Sequence, residues 1–170
     1  MNKLFIASLF GLSLIACSDP SSELSKLTPK PAWGEQIGGQ IGVGGDCHID
    51  SINDKPWSDA QTITVKQSGP ALKVLGWGAV SVREGLLPSY LAVALRGAAG
   101  QGNQLFATTT KQKRADVADF FKNPAAADSG FSANISLSDM VPGNYVLEVI
   151  QHKDGLNYRC SYTTNIIIEK

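Results

Sequence analysis

The side chains with most reactive potential in this 170-residue chain are three cysteines and two histidines. Cys47 and His48 are neighbours in Asp46-Cys47-His48, while His152 and Cys160 lie near the other end. A metal centre needs several such ligands at short spacing, and neither CxxC nor HxxxH occurs, so no metal is expected. His48 and His152 would approach each other only if the two cysteines were bridged, and no third ligand or orienting group accompanies them. Ser129-Gly130 lacks the GxSxG context of a nucleophile elbow. Asp46, Asp50, Asp54 and Asp59 fall in loop-like sequence, where Asp commonly makes turns. The glycine-dense run Gly34–Gly45 (GEQIGGQIGVGG) has neither phosphate-loop spacing nor a strand–GxGxxG–helix context. It reads as a pliable lead-in that lays Ile37, Ile41 and Val43 along a domain edge. These absences point away from an enzyme and away from any cofactor.

The third cysteine has a different setting. Lys3 is followed by a short apolar run that ends in Leu14-Ile-Ala-Cys17, too short to span a bilayer comfortably and with a small residue ahead of the cysteine. This ending resembles the lipobox of bacterial lipoproteins. The resemblance implies that residues 1–16 are a signal peptide and that Cys17 is diacylated and becomes the N-terminus. Residues 17–33 then form the lipidated cysteine and a Ser- and Pro-rich flexible tether. Ser18 after Cys17 resembles an outer-membrane-permissive signal, with Asp19 as a contrary feature. The implied location is the bacterial cell envelope, on the periplasmic face of the outer membrane or at the cell surface. One acyl chain anchors marginally and two or more anchor stably.

With Cys17 assigned to lipid, Cys47 and Cys160 remain as an even pair in an oxidising compartment, and a disulfide between them is expected. Acidic and basic residues balance at 15 each, so no broad field draws the protein to nucleic acid or anionic lipid. The membrane is reached through the lipid anchor, and the remaining partner is an envelope glycan or a protein.

From residue 34 to 170 the pattern is that of one domain built from strands. Thr62–Lys66 and Gly130–Leu137 alternate apolar with polar residues. Leu72–Val82, Tyr90–Arg96, Gln104–Thr109, Asn144–Gln151 and Tyr158–Ile168 are the other strand-like runs. The two glycines inside Leu72–Val82 suggest a bulge or a close approach of sheets. Lys153-Asp-Gly155 is a hairpin signal, and Val141-Pro-Gly-Asn144 is a type II turn candidate. Arg114–Phe121 carries Val117, Phe120 and Phe121 at helical spacing before Asn123-Pro124 ends it, which fits a short helix or turn crossing between sheets. The expected fold is all-β, an antiparallel sandwich of about seven strands with one short helical crossover.

Five phrases carry a second resemblance: Cys47-His-Ile-Asp-Ser-Ile-Asn53, Leu72-Lys-Val-Leu-Gly-Trp-Gly78, Arg114-Ala-Asp-Val117, Ser129-Gly-Phe131 and Met140-Val-Pro-Gly-Asn-Tyr145. In this order they resemble the small immunoglobulin-like β-sandwich modules appended to extracytoplasmic bacterial envelope enzymes, such as phosphoglycerol transferases and some glycosyltransferases. The resemblance implies an immunoglobulin-like accessory module; here a lipid anchor stands where the catalytic domain would be.

The functional expectation is a non-catalytic binding or interaction module. The alternatives are a structural envelope lipoprotein or an accessory subunit of a glycan- or phosphoglycerol-modifying enzyme. Trp77, inside an apolar strand, reads as a plug between the sheets. Trp57, in Asp54-Lys-Pro-Trp-Ser-Asp59, reads as an exposed aromatic for stacking on a sugar, with Asp54 and Asp59 as nearby polar groups. Arg114 and Asp116 read as a structural pair holding the helical turn, and Trp33 as tucked against the domain edge. The anchor has a direct test: Cys17→Ser should lose lipid mass and leave the membrane fraction, and a variant retained there with unchanged mass would exclude lipidation.

Overall fold

The computed structural model describes residues 41–58, 61–98 and 104–170. The expected signal, Cys17, the expected tether, Trp33, Ile37 and Asp59 lie outside these residues.

Eleven strands form two sheets. The first sheet holds β1 (Ile41–Val43), β11 (Leu156–Glu169), β10 (Gly143–Lys153), β6 (Tyr90–Gly97) and β7 (Gln104–Thr108) in that order. Its remaining strand, β4 (Thr62–Lys66), pairs parallel with the last residues of β11. The second sheet runs β3 (Lys55–Pro56), β2 (Asp46–Ile52), β5 (Leu72–Ala79), β9 (Gly130–Ile135), β8 (Thr110–Gln112). In immunoglobulin lettering the second sheet supplies A, B, E and D through β2, β5, β9 and β8. The first sheet supplies A′, G, F, C and C′ through β4, β11, β10, β6 and β7. The chain is an all-β immunoglobulin-like sandwich with one short helix among the described residues.

All seven expected strands form. The additional ones are short edge strands and β2. The sequence Asp46-Cys-His-Ile-Asp-Ser-Ile52 hides its alternation because the pairing with β5 shifts between Ile49 and Ser51. That bulge lets both Ile49 and Ile52 face the core although three positions separate them. Asp46 and Asp50 are therefore strand residues rather than loop residues. Asn53 and Asp54, both left-handed, close a tight hairpin from β2 to β3. Asp154 and Gly155 do the same between β10 and β11, as their sequence signals. Residues 41–43 do lie along the edge, parallel to β11.

The core between the sheets comprises Ile49, Leu72, Val74, Val93, Leu95, Phe131, Ile135, Leu147, Val149 and Ile166 among others. Leu72 and Val74 face it, so Gly76 and Gly78 take the next two inward positions of β5. A Cβ on Gly76 would lie 3.0 Å from the Phe131 ring, and one on Gly78 would lie 2.7 Å from Leu91 Cδ1 on the opposite sheet. The close approach of sheets expected from these glycines is real at Gly78, whereas at Gly76 a Cβ would also collide with the His48 carbonyl of the neighbouring strand in its own sheet.

The same parity corrects the reading of Trp77. It points to the outer face of the second sheet, where it meets Phe121 edge to face at 5.5 Å between ring centres. It joins a satellite cluster with Ala79, Val82, Val117 and Ala126, not the inter-sheet core. The cover over that cluster is α1 (Ala115–Phe121) and the 3₁₀ turn Pro124–Asp128. The helix forms where expected, but it joins β8 to β9, neighbours in one sheet, rather than crossing between sheets. It is closed by left-handed Lys122, whose backbone N–H bonds back to Ala118 and Asp119.

Two devices tie the layers together. The Tyr145 hydroxyl donates to the Val141 carbonyl four residues upstream at 2.5 Å, the tyrosine corner at the start of strand F. The Cys47–Cys160 disulfide links β2 of one sheet to β11 of the other. It joins A to G, not B to F. The Tyr162 hydroxyl donates to Cys47 Sγ beside it. Because the bridge spans 113 residues of chain, cutting it should cost about 4–5 kcal/mol on the chain-entropy model, an upper figure. Denaturant titration of oxidised and reduced protein should show that loss with the oxidised form free of thiols; a midpoint unmoved by reduction would contradict it.

Candidate functional site

The inward glycines leave space at one end of the sandwich. A cavity of about 360 Å³ opens there between the sheets, bounded by Gly78, Leu87, Leu91, Phe131, Ile150 and the loop residues Pro88–Tyr90. Its volume lies within the usual range for small-molecule sites. The walls are held by backbone and side-chain bonds on every side. Gly78 N–H donates to the Ser129 carbonyl at 2.9 Å, and Ser89 N–H donates to the His152 carbonyl at 2.8 Å. Thr109 Oγ1 donates to the Leu91 carbonyl at 2.8 Å, pinning the passage from β7 to β8. Behind the cavity, wholly buried Gln151 donates from Nε2 to the Asp46 carbonyl at 3.1 Å.

Polar groups in the lining come from both sheets and the loops between them. Ser129 is 3% exposed, and its hydroxyl has no hydrogen-bond partner among the described residues. A buried hydroxyl left in this state costs free energy that a bound acceptor or donor would recover. Lys111 is the register partner of Phe131 across β8 and β9, so its stem leaves the edge strand on the core-facing side. Asp128 is engaged by Lys113 at 2.5 Å. At the rim His152 Nδ1 contacts Asn157 Oδ1 at 2.8 Å, with the Tyr90 ring nearby.

The aromatic site expected around Trp57 takes a different form. Trp57 is half-buried rather than exposed. Its Nε1 donates to Thr164 Oγ1 at 2.6 Å, and its ring stands edge-on to Tyr162 at 4.9 Å and to His48 at 5.8 Å. An indole at the open margin between β3 and β11 gains more by covering core and satisfying its N–H than by facing water. Asp54 is exposed and pairs with Lys73 at 2.6 Å. The two side chains thus serve separate partners. His48 and His152 also stay apart in their contacts, His48 with Asp50 and Trp57, and His152 with Asn157 and Tyr90. Among the described residues no group of three or more His, Cys, Asp or Glu is placed to hold a metal ion.

Arg114 and Asp116 form the structural pair expected of them, with a third member. Arg114 bonds Asp116 through Nε and Nη2 at 2.9 and 2.7 Å, and Asp50 through Nη1 at 2.6 Å. This fork fastens the start of α1 to the bulge of β2. Gly130 lies directly beneath, where a Cβ would come within 2.4 Å of Arg114 Cγ. A second cluster escaped sequence reading altogether. Glu148, buried on β10, pairs with Arg96 at 2.9 Å and Arg159 at 3.7 Å. These residues come from three strands, so no local spacing announces them. No family model and no curated protein matches this chain.

The Arg114 guanidinium holds the Asp116 carboxyl down to about 2 from 3.8. A carboxyl depressed on folding stabilises above its unfolded pKa, and that contribution fades as pH falls from about 4 toward 2. Asp116 is largely exposed, so the effect is small. Asp116→Asn should flatten the acid limb of stability against pH over that window; an unchanged slope would show that the pair carries no linkage.

Proposed function

We propose that this chain is a lipid-anchored envelope lipoprotein whose sandwich is a non-catalytic binding module, and that it binds through the cavity at the end of the two sheets. The observation carrying the reading is a preformed cavity of about 360 Å³ whose lining includes Ser129, a residue with a buried and unsatisfied hydroxyl. A sandwich serving only as structure gains by filling such a space, since voids forfeit contacts and orphaned polar groups cost free energy. The balanced charge of the chain makes capture depend on shape and desolvation more than on long-range attraction. The lipobox-like ending at Cys17 supports placement on a membrane, with the tether giving the domain reach. The ligand is then an envelope small molecule, or the small-molecule part of a larger envelope component.

The test is recovery of a ligand from its natural setting. Protein extracted from its own envelope should carry a compound visible by mass spectrometry, and Gly78→Val, which grows a side chain toward the cavity, should lose it while keeping the wild-type circular dichroism spectrum. Identical extracts from wild type and Gly78→Val would remove the cavity from consideration. Turnover of the recovered compound by purified protein would overturn the non-catalytic reading.

A further inference from the structure

Resting on the reading of this cavity as a ligand site, we infer that its ligand is an anionic amphiphile: a straight apolar chain of about eight to ten carbons ending in a carboxylate or a comparable anionic head. Three features of the site converge on this class. The walls contributed by Leu87, Leu91, Phe131 and Ile150 are hydrocarbon, which suits a tail with no polar substituents. The polar lining is drawn from both sheets, and on the second sheet's side Ser129 carries a buried hydroxyl with no partner among the described residues. Lys111, an exposed residue of the edge strand β8 in register with Phe131, adds a cation to the same lining. No described residue pairs with the Lys111 ammonium, whereas the one carboxylate in the lining, Asp128, is held by Lys113. The lining therefore holds one cation without a partner among the described residues, and its one carboxylate is already paired. A cationic head would meet Lys111 unfavourably, and a neutral sugar would leave the hydrocarbon walls with hydroxyls to desolvate.

Size sets the length. At roughly 30 Å³ per heavy atom, water's share of liquid volume, a cavity of about 360 Å³ holds on the order of a dozen atoms. That is a decanoate, not a full-length membrane acyl chain. A head anchored at Lys111 and Ser129 leaves the tail to run inward over Gly78, where the missing side chain keeps the passage open.

The experiment uses the full-length protein in nanodiscs, with empty nanodiscs as blank, and follows carboxyl-13C hexanoate, octanoate and decanoate by NMR. A saturable, protein-dependent resonance at one ligand per chain is expected. Affinity should rise about fourfold with each added methylene, the burial value of one CH₂. Lys111→Gln should weaken decanoate about tenfold and Ser129→Ala about threefold, with neither variant melting below wild type. Decyltrimethylammonium should fail to displace it. Leu87→Trp, which fills the cavity from a loop, serves as a second blocking variant should Gly78→Val not fold, and should abolish binding. Absence of a saturable resonance, equal displacement by the ammonium compound, or full affinity in Lys111→Gln would each overturn the inference. If a compound co-purifies with wild type and is lost in Gly78→Val, yet decanoate does not bind, the cavity remains the site and the anionic-amphiphile assignment alone falls.

Discussion

The constraint on which the rest of this structure depends is the crowding of the inward positions of β5, from its own sheet at Gly76 and from the opposite sheet at Gly78. Gly76 and Gly78 occupy inward positions that any other sandwich strand would fill with Val or Ile, and the space is taken instead by Phe131 from the neighbouring strand and Leu91 from the opposite sheet. Toward Gly76 the exchange is complete and the interior is packed. Toward Gly78 it is incomplete, and the cavity is what remains. With the inward positions of β5 so narrow, its one large aromatic, Trp77, has to face outward. An exposed indole on a sheet face calls for a cover, which the excursion between β8 and β9 provides through Val117, Phe121 and Ala126.

The margins of the sandwich are closed by a separate set of interactions. A–G linkage through Cys47 and Cys160, rather than the B–F bridge of antibody domains, leaves the centre of the core free of sulfur and places the covalent tie near an edge. Trp57, Tyr162 and Thr164 gather around the same edge, so the indole that reads as a ligand platform closes a seam. Across β5 from that edge the space beside Gly78 is not plugged, and the cavity opens there between Leu87, Leu91, Phe131, Ile150 and the Pro88–Tyr90 loop. Closure at the edge and access beside Gly78 follow from where the aromatic residues fall in the strands.

Buried charge is handled with the same economy. Glu148 lies fully buried between Arg96 and Arg159, whose charges offset the cost of taking its carboxylate out of water. The Arg114 fork does for the helix cover what the disulfide does for the sheets, tying α1 to the bulge of β2 through Asp50. Lys111 is the exception to this compensation, a cation on the inward side of an edge strand with no described anion beside it. Inward-pointing lysines also protect edge strands from pairing with other chains, so one residue can guard the edge and face the cavity mouth.

The sequence by itself determined the strands whose apolar residues alternate, the two-residue turns, the helical insertion and the cysteine pair, because each rests on contacts near in sequence or on simple counting. Thr62–Lys66 coincides with β4, and Asp154-Gly155 turns where its glycine predicts. The outward direction of Trp77 was also within reach, since parity from Val74 decides it. Only the tertiary structure decided that Asp46–Ile52 is a strand, because a bulge erases its period, and that Trp57 is half-buried, because its partner Thr164 stands 107 residues away. The cavity belongs wholly to this second class. Its walls come from β5, β6, β8, β9 and β10 with the segments between them, and a void is defined by what strands distant in the chain fail to fill, which no local pattern of residues records.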